Sequence, residues 1–391
     1  MKIAVIGAKN IPPQQGGIEH YCAEIYPRIV AQGHSVDLFA RSSVTNESVF
    51  NRRDCDGVQV ISLPCPGKRG LDALTSSLLG AIATVGFNYD IVHFHALGPA
   101  LFSSIPKFAS SAKVVVTCHG LDWQRQKWGA MSSHLIQMGE RAAVKYSDGL
   151  ATVSEDLRSY FQQVYGKQSV YIPNAPATYA PSDPTFAYGQ SLGLKPDRYM
   201  VFLGRMVPEK CPDLLLRAFQ KIQSQGWKLV FVGGNSDTTQ YVSELSKLAS
   251  GNPNVIFTGE LRGKRLAEIM RSAGLFVLPS ALEGMPLAML EAMAEKIPVV
   301  ASDIPPHVQL IGQDRGVLFR SGDLESLERQ LEWAIFHPQE MQRMARRSQQ
   351  NVQLKYTWEQ ATRNNLKLYE SVLDSSYQKA ARPTAAFNRI H

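Results

Sequence analysis

The chain has 391 residues, 44% hydrophobic and 19% charged, and a net charge of +7. That length exceeds what one hydrophobic core usually serves, so two domains are expected, and the composition is that of a soluble globular protein, not a disordered one. The positive excess is shared between the two halves, which suits small anionic ligands or an anionic surface and argues against a dedicated nucleic-acid face.

The N-terminus "MKIAVIGAKN" reads as a short strand, because it lacks the long apolar run and small-residue cleavage site of a secretory signal, and a cytoplasmic location is expected. The five cysteines, Cys22, Cys55, Cys65, Cys118 and Cys211, form no C-x-x-C and no Cys/His cluster. Reduced thiols follow, and no structural zinc is expected.

Next come the runs "SVDLFA", "VQVISLP", "DIVHFHA", "KVVVTCHG" and "GLATVS", alternating with helical segments such as "IEHYCAEIYPRIVAQG" and "SHLIQMGERAAVKYS". Strands apolar on both faces and joined by helices predict a parallel, doubly wound sheet. Between Asp72 and Asp90 the uncharged run "ALTSSLLGAIATVGFNY" is interrupted by Ser, Thr and Gly and falls short of the ~20 apolar residues of a membrane span, so a packed helix is predicted.

After "SVYIPNA" the composition turns to Pro, Ser, Thr and Asp, which reads as a linker over 176–197. The alternation then resumes with "YMVFLGR", "KLVFVGG", "NVIFTGE", "GLFVLPS", "IPVVASD" and "GVLF". The expected layout is therefore a Rossmann-like domain over 1–175, the linker, a second Rossmann-like domain over 198–355, a helix over 356–376 and a loose tail over 377–391. In such sheets ligands bind beyond the carboxyl ends of the strands, and two facing crevices make one cleft.

The stretch "SALEGMPLAMLEAMAEKIPVVASD" carries two carboxylates, Glu283 in a predicted loop and Glu291 inside an apolar helix. Gly284 permits close approach to a ligand, Pro286 suits a first helical turn, and the free N–H groups of that turn suit a diphosphate. Glu291 could accept hydrogen bonds from a ribose diol and Glu283 from a sugar hydroxyl. Capping and surface roles for both suit the same spacing.

"EGMPLAMLEAMA" followed by "IPVVASD" resembles the Glu, seven residues, Glu signature of retaining nucleotide-sugar glycosyltransferases of the GT-B fold, and the likeness runs over roughly residues 1–375. The resemblance implies a donor site built from Glu283, Gly284, Met285, Pro286, Leu287 and Glu291. "FLGRMVPEKCPDLLLRAF" resembles the family's phosphate-binding segment, which puts Arg205 and Lys210 on the diphosphate, with Cys211 where the family usually has Gly. "QQGGIEHY" resembles its N-terminal glycine loop at Gly16 and Gly17, and "VIFTGEL" the backbone framing the nucleobase at Gly259 to Leu261.

"VVVTCHG" aligns with the strand whose terminal histidine lies beside the reacting sugar, which makes His119 the first catalytic candidate, together with Glu283, Arg205 and Lys210. In "IVHFHA", His93 reads as a satisfied core histidine and His95 as a second candidate, while Asn174 of "YIPNA" is expected at the hinge. No metal and no further cofactor are implied, since the family holds the leaving diphosphate with cations and helix dipoles.

The function implied is transfer of a hexose-type sugar from a UDP- or GDP-sugar to a glycan or lipid-linked glycan hydroxyl in bacterial cell-surface polysaccharide synthesis. A GT-B-type nucleotide-sugar epimerase is the alternative. The loop "LDWQRQKWGAM" mixes Trp123 and Trp128 with Arg125 and Lys127, which suits either an anionic membrane surface at the inner face of the plasma membrane or a half-buried loop packed on the first domain.

Overall fold

The computed structural model describes residues 1–374 apart from 14–15, 46–47, 49, 67–69, 126–128, 223–225, 235–238 and 313. The tail read over 377–391 lies outside the described residues.

The first domain is an eight-stranded sheet of β1 (Lys2–Ile6), β2 (Ser35–Arg41), β3 (Arg52–Cys55), β4 (Val58–Leu63), β5 (Ile91–His95), β6 (Lys113–Cys118), β7 (Gly149–Thr152) and β8 (Val170–Tyr171). Its spatial order is β3-β4-β2-β1-β5-β6-β7-β8. Only β3, paired with β4, runs antiparallel. Every residue of β5 is buried, and β6 is buried but for its first, which is why these strands read as unbroken apolar runs.

The second domain is an all-parallel sheet of β9 (Tyr199–Leu203), β10 (Lys228–Val232), β11 (Val255–Gly259), β12 (Leu275–Leu278), β13 (Val299–Ser302) and β14 (Val317–Phe319). Its order is β11-β10-β9-β12-β13-β14.

The segment 176–197 divides in two. Around the short helix Ala187–Ser191, Phe186 and Leu194 are buried and the Gly189 N–H donates to Glu268 Oε1 at 2.8 Å, so this half belongs to the second domain's core. The helix Trp358–Leu373 packs on the helix Gly17–Val30 and on β6 and β7 of the first domain. Asn365 Nδ2 donates to Tyr21 Oη at 2.6 Å, and Trp358 Nε1 to the Pro176 carbonyl at 3.0 Å. These bonds, buried in a mostly apolar contact, fix the register of the returning helix.

The run between Asp72 and Asp90 forms the helix Leu71–Ala83 and a short 3-10 turn, with Ser76, Ser77, Gly80 and Ala81 buried. Among the described residues no helix is long and apolar enough to cross a membrane.

Candidate functional site

Strand order reverses between β1 and β5 in the first sheet and between β9 and β12 in the second, and these switch points open the two crevices. The loop after β1 brings Gly16 and Gly17, with Gly16 at φ 110°, a backbone that favours glycine. Glu19, buried on the following helix, accepts from the Lys9 N–H at 3.1 Å and ties this loop back. His119 follows β6, Arg205 follows β9, and Ser280 to Gly284 follow β12.

The two domains meet at these loops. A Cβ on Gly284 would lie 1.9 Å from the His119 carbonyl oxygen, so only glycine allows this approach. Leu287 packs against the cores of both domains and lies against Gly17. Asn174 Nδ2 donates to the Met285 carbonyl at 3.3 Å, across the domain junction.

On the second-domain side, Lys210 Nζ donates to Glu283 Oε1 at 2.6 Å and Ser280 Oγ donates to the same oxygen at 2.8 Å. Burial alone would raise the Glu283 carboxyl, but the charge and hydrogen bond of Lys210, helped by His307 and Ser280, hold it below its ordinary value. The Arg205 guanidinium makes neither a hydrogen bond nor an ion pair with any described residue, and burial followed by the like charge of Arg125 lowers its pKa against the pull of Glu209, Glu283 and Asp122. Cys211 adopts φ 48°, the left-handed conformation for which glycine is better suited, and its thiol donates to the Pro208 carbonyl at 3.3 Å. The substitution thus bears on the turn, while the neighbouring cation keeps its place.

The helix opening the quoted stretch is Leu287–Ala294. Pro286 precedes it in an extended conformation, one residue earlier than the first-turn position expected. No side chain caps this helix, which leaves its first N–H groups for another acceptor. Glu291, on its second turn, accepts from Tyr179 Oη at 2.8 Å. Burial raises the Glu291 carboxyl to about 7, against the pull of that single hydrogen bond. Gly259 closes β11, the edge strand two strands from β9, and Leu261 follows it.

On the first-domain side His119 is held by a buried chain. His95 Nδ1 lies 3.0 Å from His119 Nε2, and Tyr26 Oη lies 2.5 Å from His95 Nε2 and 3.1 Å from His93 Nδ1. His93 is closed off further by Tyr369 Oη and Thr117 Oγ1, both at 2.7 Å, as befits a core histidine. His95 is fully buried beneath His119, which removes it as a candidate at the chemistry and makes it the support of the ring above. β-Strand alternation places His93 and His95 on the same face, but the packing of Tyr26 and Tyr369 over that face is what closes it to ligand. Burial brings His119 down to about 4, so its ring is neutral at pH 7, with Nδ1 free of any partner among the described residues.

Three further groups escaped the sequence reading. Glu209, next to Lys210 in the quoted motif, is buried with no hydrogen bond to either carboxylate oxygen. His307, close to Glu283 and Lys210, is buried with Nδ1 on Ser302 and Nε2 unpartnered. Tyr179 stands in the Pro- and Ser-rich segment, where nothing in the sequence marks it.

The loop after His119 turns inward. Trp123 Nε1 donates to Glu140 Oε2 at 2.7 Å, and Arg125 pairs with Asp122 and approaches Glu209, so both polar groups are engaged within the protein, as in a half-buried loop packed on the first domain. The indole finds the buried carboxylate of Glu140 and the guanidinium the half-buried one of Asp122, which compete with solvent for these donors. Lys127 and Trp128 lie outside the described residues. Among the described residues no group of three or more His, Cys, Asp or Glu is arranged to hold a metal ion.

Two family models match the chain, one in each domain: a glycosyl transferase 4-like domain over residues 16–175 and glycosyl transferases group 1 over residues 188–351. A D-inositol 3-phosphate glycosyltransferase of Rhodococcus erythropolis is 26% identical, over 97% of this chain and 91% of its own length. Among solved structures, a sucrose-phosphate synthase from Thermosynechococcus elongatus superposes with a TM-score of 0.82 at 20% identity, over 95% of this chain and 98% of that one. HepE of Anabaena, in complex with UDP and glucose, does so with a TM-score of 0.77 at 17% identity, over 95% and 100%. With both halves matched and the two facing Rossmann-like domains in place, the chain belongs to the group 1 glycosyl transferases and has the GT-B fold.

Proposed function

We propose that the protein is a retaining, metal-independent hexosyltransferase that moves a sugar from a nucleoside-diphosphate donor, UDP- or GDP-linked, to a glycan or lipid-linked glycan hydroxyl. The observation that carries this reading is Arg205. It is a half-buried guanidinium with no partner among the described residues, at the same crevice as the Lys210–Glu283 pair. A half-buried cation that nearby carboxylates attract but none pairs with is costly, and an anion as strong as a diphosphate offsets that cost.

In this reading the ribose diol donates to Glu291, and the diphosphate accepts from Arg205, Lys210 and the uncapped N–H groups of Leu287 and Ala288. Glu283, kept ionised by Lys210, accepts from a hydroxyl of the sugar, and the neutral His119 ring offers Nδ1 to the sugar or to the acceptor. As the glycosidic bond breaks, charge grows on the leaving phosphate. Fixed cations then stabilise the transition state more than the ground state. The departing phosphate itself accepts the acceptor's proton on the same face, which retains the anomeric configuration.

Support for a uridine donor comes from HepE, a structural neighbour crystallised with UDP-glucose. The bacterial cell-surface role and the inner-membrane location rest on the family resemblance, and Trp123 and Arg125 lend them no support. The test is incubation with UDP-, GDP- and ADP-glucose and their mannose and galactose counterparts in the presence of glycan acceptors. Magnetic resonance then assigns the anomer. A product with the donor's configuration is expected, and an inverted product would reject the retaining assignment.

A further inference from the structure

The loop after β6 carries a charged group for which the mechanism above has no use. Arg125 Nε lies 2.8 Å from Asp122 Oδ1, and its Nη1 lies 3.8 Å from Glu209 Oε1 in the other domain. At 3.8 Å no hydrogen bond forms, and both Glu209 oxygens remain without one. A guanidinium seated there only to pair with Glu209 would close to roughly 2.8 Å and bind two-pronged.

Its charge is felt elsewhere. After burial, Arg125 is the largest influence on Arg205, and Glu283 and Glu209 both act on Arg125 in turn. Asp122 pairs with Arg125 and Glu283 with Lys210, while Arg205, which Glu209, Glu283 and Asp122 attract without pairing, stands beside a second guanidinium that repels it. Like charges gathered from two domains into one sheltered cleft form an arrangement that an intervening anion stabilises.

We propose that Arg125 is a third cation on the donor's diphosphate, contributed by the first domain, with Asp122 as its positioning residue. The inference rests on the nucleotide-sugar reading and adds to it. The cations of the second domain bind the diphosphate in any domain arrangement, whereas Arg125 reaches it only where the two domains meet, as they do at His119 and Gly284. Full neutralisation of the leaving group is thereby tied to a closed cleft.

The test is calorimetric titration of the full chain, wild type and variants, with UDP, GDP and ADP and with the three corresponding monophosphates. For the diphosphate that binds, Arg125→Gln should weaken affinity at least tenfold while the monophosphate stays within twofold. Arg125→Lys should fall between, and Asp122→Asn should show the same selective loss to a smaller degree. A change that is equal for diphosphate and monophosphate, or absent from both, would overturn the proposal. So would a Glu209→Gln variant that reproduces the whole Arg125→Gln loss, since Arg125 would then act only by holding the domains together. If the wild type binds none of the three diphosphates, the nucleotide-sugar reading fails as well. Wild-type binding with an unselective Arg125→Gln effect rejects the Arg125 assignment alone.

Discussion

Replacing Tyr179 with phenylalanine should move the pH at which the donor binds. Tyr179 donates to Glu291 Oε2 at 2.8 Å and is the group that pulls the Glu291 carboxyl down against a burial that raises it to about 7. A ribose diol donates two hydrogen bonds and so needs the carboxylate. Apparent donor affinity should therefore be near its plateau at pH 8, about twofold weaker at pH 7 and about elevenfold weaker at pH 6, from the protonated fraction alone. A hydrogen bond to a charged acceptor is worth about 1.5 kcal/mol, or roughly one pKa unit. Tyr179→Phe should thus raise the midpoint by about one unit and weaken binding at pH 7 roughly fivefold relative to wild type, with little change at pH 9. The assay is calorimetric titration with a nucleotide sugar. Each of its phosphates carries one ester and one anhydride bond and has no group that titrates in this range, so the slope reports the protein. A wild-type profile flat between pH 6 and 8, or a midpoint that persists in Glu291→Gln, would refute the reasoning.

Glu291→Ala should raise donor KM with kcat mostly kept, because a ribose contact is made in ground and transition states alike, and steady-state kinetics would show an unchanged KM if Glu291 is not at the ribose. Glu291→Gln should be more heat-stable than wild type at pH 8 but not at pH 4. A carboxyl raised from 4.5 to about 7 by folding costs stability progressively as pH climbs through that window, by at most about 3 kcal/mol, and melting curves at both pH values check the sign. Chelation with EDTA should leave turnover nearly unchanged, and a loss that magnesium restores would contradict a diphosphate held by cations alone.

What the sequence made legible follows from how local each signal is. The apolar run of β5 announces a strand buried on both faces, and Glu283, Gly284 and Glu291 sit close enough in the chain to share one loop and helix. Lys210 and Glu283 could be paired only through the family resemblance, since 73 residues separate them. Tyr179 and Glu291 stand 112 residues apart in segments of unrelated composition, and no periodicity links them. The two histidines of β5 share a sidedness that left His95 open as a candidate. The tyrosines that bury it, Tyr21 and Tyr26, come from the helix Gly17–Val30, and Tyr369 of the helix Trp358–Leu373 closes the neighbouring His93, all far from β5 in the chain. Arg125 read as part of a basic and aromatic loop because its acidic partners, Asp122 nearby and Glu209 in the other domain, become visible as partners only after folding.

The central claim is that Arg205 and Lys210 stabilise charge on a departing nucleoside diphosphate. Its most direct test is nucleotide release from the UDP-, GDP- and ADP-sugar panel, measured for wild type, Arg205→Ala and Lys210→Ala. Wild type should release the diphosphate from one donor class in the presence of acceptor, and each variant should lose about 100-fold in kcat, or ~3 kcal/mol of transition-state stabilisation. Variants within twofold of wild type, or conversion of the nucleotide sugar to an isomer with no diphosphate released, would contradict the account.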